Sequence, residues 1–436
     1  MSNWLPGLRK KVGATLRWSE RYTKTDMTYL AKGGFWLTLG HGIQIGSGLV
    51  LAVAFANLLP KESYGIYQFI MSTAAILSAL TLSGMSTAIK RAVARGNEGA
   101  LRYGFRTQML WSINIALAAG ALATYYFVNG NNTLATGFLI VGAFSPFIEG
   151  FSLYKSYLIG TRRFKESALL GLWRRPLFIV TILITLFLTD DPTTLVFVYF
   201  ASSTLSAWLL YRLVVKKYTL PTTPDPELLG YSKHLSVMGV VSAVGNHTDK
   251  ILIFHFLGAA PLAIYVLALL PFTHLSKLFD LSKELAIPRF VGQSFERLRQ
   301  GMFPKVRMFL TVSTLTILVY IPTAPYIFST LFPNYPEAVL LSQAAVLILL
   351  IRPSILFNQV FTAHGTKNVQ YFLQVSSAFL KVGLLLILIP LYGLWGALIA
   401  LMASQLYTAI ALVIIFYSYP GKAPEQAADG DLKESP

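Results

Sequence analysis

From Gly33 to Tyr417 the chain is a succession of apolar runs, each about the 20 residues that an α-helix needs to cross a bilayer. In hydrocarbon every backbone N–H and C=O must be satisfied within the protein, so runs of this length read as helices. Spans are expected near 33–59, 65–89, 107–128, 134–158, 168–189, 194–215, 232–257, 262–286, 306–331, 337–363, 369–390 and 394–418. Composition agrees: 54% of the 436 residues are hydrophobic and 13% are charged, too little polar surface for a soluble protein of this size. The expected fold class is an all-α polytopic membrane protein of about twelve transmembrane helices.

Charge placement orients the bundle. The links after odd-numbered spans (PKESY, NGNNT, DDPTT, GAAP, FPNYPEA and YGL) carry no Lys or Arg except Lys61. The other links hold nearly all the basic residues, among them Arg95, Arg102, Arg106, Arg162, Arg163, Lys165, Lys216 and Lys217. The positive-inside rule then puts both termini in the cytoplasm of a multi-pass inner-membrane protein. Orientation and attraction to anionic lipid account for most of the net charge of +17, so no nucleic-acid partner is needed. Met1 to Lys32 is polar and basic, and the first apolar run is too long for a signal peptide, so it is expected to stay as the first span. With no cysteine, disulfides and thiolate metal sites are excluded.

A weak internal repeat divides the chain. LPKESYGIYQF from Leu59 is echoed by LGAAPLAIYVL from Leu257, aligning Leu59 with Leu257, Gly65 with Ala263, Ile66 with Ile264 and Tyr67 with Tyr265. Both segments join an odd span to an even one, six spans apart, which implies two pseudo-symmetric six-helix bundles of the same orientation around a cavity. The expected organisation is a basic amphipathic segment at 1–32, bundles at 33–215 and 232–418, a linker at 216–231, and a disordered tail at 419–436.

Ionisable groups inside spans each cost on the order of 2.5–3.5 kcal/mol to insert and need a reason. Asp249, Lys250, Arg352 and Lys381 stand out, with Asn246 and His247 beside Asp249. One reading is a salt bridge from Asp249 to Lys250, Arg352 or Lys381 that locks helices together; the other is a cavity-lining or ion-coupling role. Three cations against one carboxylate leave a surplus of positive charge, which suits a solvated cavity or an anionic substrate, since Arg and Lys bind phosphate through charge-assisted hydrogen bonds. Lys90, Arg91, Arg174, Arg175, Lys277 and Lys283 sit toward cytoplasmic helix ends, where they either anchor the protein or capture a diphosphate head group. Glu149 is a second acidic residue within a span. His41 and Gln44 in the first span read as interhelical hydrogen-bonding groups, and Pro146, Pro271, Pro322 and Pro325 as packing or bending points.

Several functions find no support. The predicted outside links are too short for the catalytic loops of a polymerase or ligase, no D-x-D motif marks a glycosyltransferase, and no Walker A sequence is present. The histidines have no metal-ligand spacing. The expected protein is not an enzyme and needs no cofactor.

Across most of Lys32–Tyr417 the chain resembles the Wzx-type polysaccharide and O-antigen flippases of the multidrug/oligosaccharidyl-lipid/polysaccharide (MOP) exporter superfamily. The resemblance rests on KGGFWLTLG, LPKESYGIYQF, LSGMSTAIKR, GTRRFK, DKILIFHFLGAAPLAIY, TLFPNYPEA and IPLYGLWGALIA. It implies a V-shaped pair of bundles that alternates between faces, with a cationic cavity, moving a polyprenyl-diphosphate-linked oligosaccharide outward for cell-surface polysaccharide biosynthesis. By the same resemblance Asp249 matches an acidic residue of the seventh span and Arg91 a basic residue after the second. The implied partners are the lipid-linked glycan, membrane lipids and proteins of polysaccharide assembly. A MATE-like small-molecule or ion antiporter and a non-transporting scaffold are the alternatives.

Overall fold

A computed structural model describes residues 27–218, 226–290, 293–364 and 366–419. Among these residues every regular element is helical, and the helices line up as twelve rods. In the first half they are α1 (Met27–Leu58), α2 (Lys61–Ala79, resuming as Met85–Ala94), α3 (Ala100–Trp111 and Ile113–Val128), α4 (Asn132–Phe151 and Tyr154–Gly160), α5 (Phe164–Leu188) and α6 (Pro192–Tyr218). The second half comprises α7 (Pro226–Leu257), α8 (Ala259–Phe290), α9 (Phe295–Leu331), α10 (Ala338–Val346, resuming as Ile355–Ala363), α11 (367–392) and α12 (394–418). The amphipathic reading of Trp4 to Leu16, the disordered tail from Pro420, the side chain of His41 and Lys283 lie outside the described residues.

The tenth, eleventh and twelfth rods depart from the straight, separate spans expected. The eleventh and twelfth form one continuous helical stretch, Lys367–Ser418, folded back at Gly393, whose φ of 58° lies in the left-handed region that glycine adopts without strain. The tenth is broken by 3₁₀ turns at Leu347–Leu350 and Arg352–Ser354, next to Pro353, whose missing N–H and ring both interrupt an α-helical ladder. Arg352 therefore sits on the break itself, half-buried, with its guanidinium 5.4 Å from the centre of the Phe272 ring on α8.

One end of the bundle carries the basic links (Arg95, Arg163, Lys217) and is called the basic end here; the other carries Lys61, Asn131, Asp191 and Gly258. The packing differs between these ends. A single apolar core that includes Phe55, Phe69, Leu134, Tyr265, Phe328 and Tyr335 joins both halves of the chain. Toward the basic end it gives way to two separate clusters, one around Met85, Leu101, Tyr154 and Tyr157, the other around Phe295, Met302, Phe357 and Phe416. Two bundles that share a core at one end and have separate cores at the other form a V that opens at the basic end. The second helix links them: α7 lies along α2, where the Gly84 N–H donates to Ser236 Oγ at 3.0 Å and Arg91 stacks on Tyr231 at 4.6 Å.

At the far end the halves are closed against each other. Lys61 of α2 pairs with Glu337 at 3.0 Å, and Asn57 Nδ2 donates to the Leu331 carbonyl at 2.8 Å. The rings of Phe69 and Phe254 stack at 3.9 Å. Gly65 lets α2 meet the start of α8 backbone to backbone: a Cβ there would lie 1.9 Å from the Ala259 carbonyl oxygen. The Gly65 position is one of the four that the internal repeat singles out.

Candidate functional site

The N-terminal half encloses a cavity of about 560 Å³, within the range of roughly 300–1,000 Å³ usual for small-molecule sites. Its walls come from α1, α2, α4, α5 and α6, and three cations face it: Lys155, Arg174 and Arg175. Aromatic rings supply much of the remaining wall, namely Phe55, Tyr67, Phe178 and Tyr199.

The cations are deeper than the sequence implies. Arg174 and Arg175 read as residues near a cytoplasmic helix end, but α5 begins at Phe164, so they stand ten and eleven residues along it. At 1.5 Å per residue that is about 15 Å along a helix of 25 residues, roughly two-fifths of the way through the rod. A plain interfacial anchor would have no need of such depth. Both guanidinium groups are fixed by their Nε. Arg174 Nε donates to Ser206 Oγ at 2.9 Å, with an Nη2 hydrogen toward the Ser203 carbonyl at 3.5 Å. Arg175 Nε donates to Ser47 Oγ at 2.7 Å on α1.

An arginine has five N–H donors, so three remain on Arg174 and four on Arg175. Held by Nε, Arg175 keeps all four Nη hydrogens and Arg174 three of them for a ligand, enough for bidentate binding of a phosphate. Among the described residues no carboxylate pairs with Lys155, Arg174 or Arg175. The chemistry on offer is capture of a polyanion by three uncompensated cations in a largely apolar, aromatic chamber.

Sequence reasoning missed Lys155, although a signal was present: it stands three residues inside the expected fourth span, in FSLYKSYLIG, closer to the span's end than Lys250 or Lys381. Gln44, expected to be an interhelical hydrogen-bonding group, lines the cavity. A smaller cavity of about 200 Å³ adjoins, bounded by Ser78, Ser145, Glu149 and Phe200, and shares Arg174, Tyr199 and Ser203 with the larger one. Glu149, an isolated acidic residue in the sequence, is thus placed beside the cationic chamber.

The other candidates gather in the C-terminal half. Lys381, 7% exposed, lies 3.4 Å from Asp249 Oδ2, and its ammonium also donates to the Gly245 carbonyl at 2.7 Å. Tyr265 donates to the same Asp249 oxygen at 3.1 Å. Of the two readings of Asp249, this geometry is that of a lock between α7, α8 and α11. The surplus-charge argument therefore loses Lys381: its charge is matched by a buried carboxylate, and neither Lys381 nor Arg352 lines the two cavities described. Lys250 is half-buried on α7; His247 is half-buried too, its Nδ1 without a hydrogen-bond partner among the described residues. Asn246 is exposed and donates to Ser242 Oγ at 3.4 Å. Lys90 is half-buried at the basic end of α2, and Lys277 is exposed on α8. The structure thus does not bring Lys90, Arg91, Lys250 and Lys277 together with Arg174 and Arg175.

The repeat places equivalent tyrosines at the polar centre of each half: Tyr67 lines the cationic cavity, and Tyr265 donates to Asp249. Breaking the buried pair has a predictable cost. Lys381→Met alone is expected to destabilise the protein by about 3–5 kcal/mol by stranding the carboxylate, whereas Asp249→Leu with Lys381→Met should recover most of that loss. Thermal melts of the purified protein check this; equal destabilisation by the single and double variants would contradict the lock.

A family model described as "Polysaccharide biosynthesis protein" matches residues 30–293, more than half of the chain. No curated protein matches. Among solved structures, an inward-facing multidrug resistance MATE family transporter of the MOP superfamily aligns with a TM-score of 0.66 at 14% identity, over 85% of this chain and 93% of its own. An outward-facing structure of such a transporter gives 0.61 at 16% identity, over 89% and 94%. A MOP superfamily transporter from Pyrococcus furiosus, whose description notes a binding pocket of reverse polarity, gives 0.60 at 16% identity, over 89% and 95%. The membrane-length helices, their arrangement as two six-rod halves and the family match lead to one conclusion: this multi-pass membrane protein belongs to the polysaccharide biosynthesis protein family and has the MOP-superfamily fold.

Proposed function

We propose that the protein is a flippase that carries a polyprenyl-diphosphate-linked oligosaccharide from the cytoplasmic to the outer leaflet by alternating access. The observation that carries this reading is the set of three cations, Lys155, Arg174 and Arg175, lining one chamber inside the membrane-spanning region without a carboxylate partner among the described residues. A diphosphate supplies the negative charge they lack. In this mechanism the positive-inside rule assigns the basic end to the cytoplasm of the inner membrane, so the V opens toward the side where lipid-linked sugars are assembled. The arginine forks take the diphosphate, the glycan occupies the space between the open bundles, and the prenyl tail stays in lipid.

Release follows when the contacts at the far end part and the basic ends close. The protein itself makes and breaks no covalent bond. A MATE-like exporter of organic cations shares the fold, but a chamber whose charged lining is wholly cationic repels such cargo.

The reading is tested with purified protein in liposomes, following translocation of a fluorescent undecaprenyl-diphosphate oligosaccharide. Protein-dependent translocation, competed by unlabelled undecaprenyl diphosphate and not by an organic cation of the multidrug type, is the expected result. No translocation above protein-free liposomes, or competition by the cation alone, would overturn it.

A further inference from the structure

The smaller cavity beside the cationic chamber has features that diphosphate capture does not use. Glu149 faces it from α4, and Ser145, 2% exposed, has a hydroxyl with no hydrogen-bond partner among the described residues. Arg174 faces it from α5 with N–H groups to spare, yet forms no ion pair with Glu149. A carboxylate and a guanidinium kept apart across a polar space call for a neutral ligand that can donate to one and accept from the other. A free anion would be repelled by Glu149 and a free cation by Arg174. The remaining wall is apolar, with Met71, Ala74, Ala75, Ile148 and Phe200. A volume of about 200 Å³ is that of six or seven waters at roughly 30 Å³ each, a size that suits one sugar ring.

We propose that this cavity is the subsite for the first sugar of the lipid-linked glycan: Glu149 accepts hydrogen bonds from its hydroxyls, Ser145 supplies a further polar contact, and its C–H face packs on the apolar wall. Arg174, Tyr199 and Ser203 line both cavities, so a diphosphate on the Arg174 fork has its attached sugar directed into the smaller one. This inference rests on the diphosphate reading above and adds to it: the site reads a pyranose as well as an anion, and distinguishes a loaded carrier lipid from a bare one.

The experiment titrates two lipids into full-length protein in nanodiscs: undecaprenyl diphosphate, and undecaprenyl diphosphate bearing one N-acetylglucosamine. Wild-type protein is expected to bind the sugar-bearing lipid on the order of 10-fold more tightly, the effect of two or three net hydrogen bonds. Ser145→Leu and Ala75→Leu, which fill the cavity from two different helices, are each expected to abolish that difference while leaving affinity for the bare lipid unchanged. Equal wild-type affinity for the two lipids overturns the subsite and leaves the diphosphate reading intact, as does an equal loss for both lipids in both variants. Failure of the wild type to bind bare undecaprenyl diphosphate removes the diphosphate reading and this inference together.

Discussion

Arg174→Ala and Arg175→Ala are each expected to slow translocation of a diphosphate-linked lipid by roughly 10- to 100-fold, the scale of one charge-assisted, bidentate contact of about 1.5–3 kcal/mol. The double variant should fall to the background of protein-free liposomes. Lysine at either position restores the charge but not the planar fork held by Ser206 or Ser47, so it is expected to recover only part of the rate. Lys155→Ala should lose less, because an ammonium binds phosphate as a point charge and Lys155 lies only about 8 Å from the basic end of α4.

A second measurement separates binding from architecture. An uncompensated cation inside a span is costly, on the order of 2.5–3.5 kcal/mol, so removing one should leave the melting temperature unchanged or raised. Variants that melt early yet translocate at the normal rate when folded would assign these arginines to helix packing and end the proposed mechanism.

Gly65→Ala is expected to trap the opposite conformation. Its Cβ would lie 1.9, 2.4 and 2.8 Å from the carbonyl oxygen, carbonyl carbon and Cα of Ala259, all backbone atoms that no rotamer change can move aside. Helices α2 and α8 must then separate where the two halves meet, and the Lys61–Glu337 pair and the Phe69–Phe254 stack must open with them. Overpacking of about 1–3 kcal/mol shifts the closed-to-open population by roughly 5- to 150-fold.

The chain has no cysteine, so Lys61→Cys with Glu337→Cys gives a background-free reporter. A short bifunctional thiol reagent should link the pair efficiently in the parent and at least ~10-fold more slowly with Gly65→Ala. Translocation should be impaired to a similar degree. Unchanged cross-linking together with unchanged transport would mean that the contact between α2 and α8 is not part of the gate.

The helical class, the number of rods and their alternation were fixed by local rules. An apolar run of about 20 residues must satisfy its own backbone hydrogen bonds, and basic links segregate to one end whatever the helices later contact. The internal repeat supplied the two-bundle plan, and resemblance over most of the chain added the V shape. Even the Gly65 and Tyr67 positions were visible through the repeat, since a small residue (Gly65, Ala263) and a tyrosine (Tyr67, Tyr265) at the same juncture in each half leave a trace in sequence.

The assignment of charges to a function was a different matter. Asp249 kept two readings, a lock to Lys250, Arg352 or Lys381 and a cavity role, and only the assembled bundle selects Lys381 as its partner across α7 and α11, a contact no local pattern encodes. Arg174 and Arg175 read either as anchors or as a diphosphate site at the cytoplasmic entrance, because their depth depends on where α5 begins, and only the packing of α4 against α5 brings Lys155 to the same chamber. Depth and neighbours belong to the assembled bundle: a helix determines that its own polar groups must be satisfied, and the surrounding helices determine whether the partner is a carboxylate, a serine or an incoming phosphate.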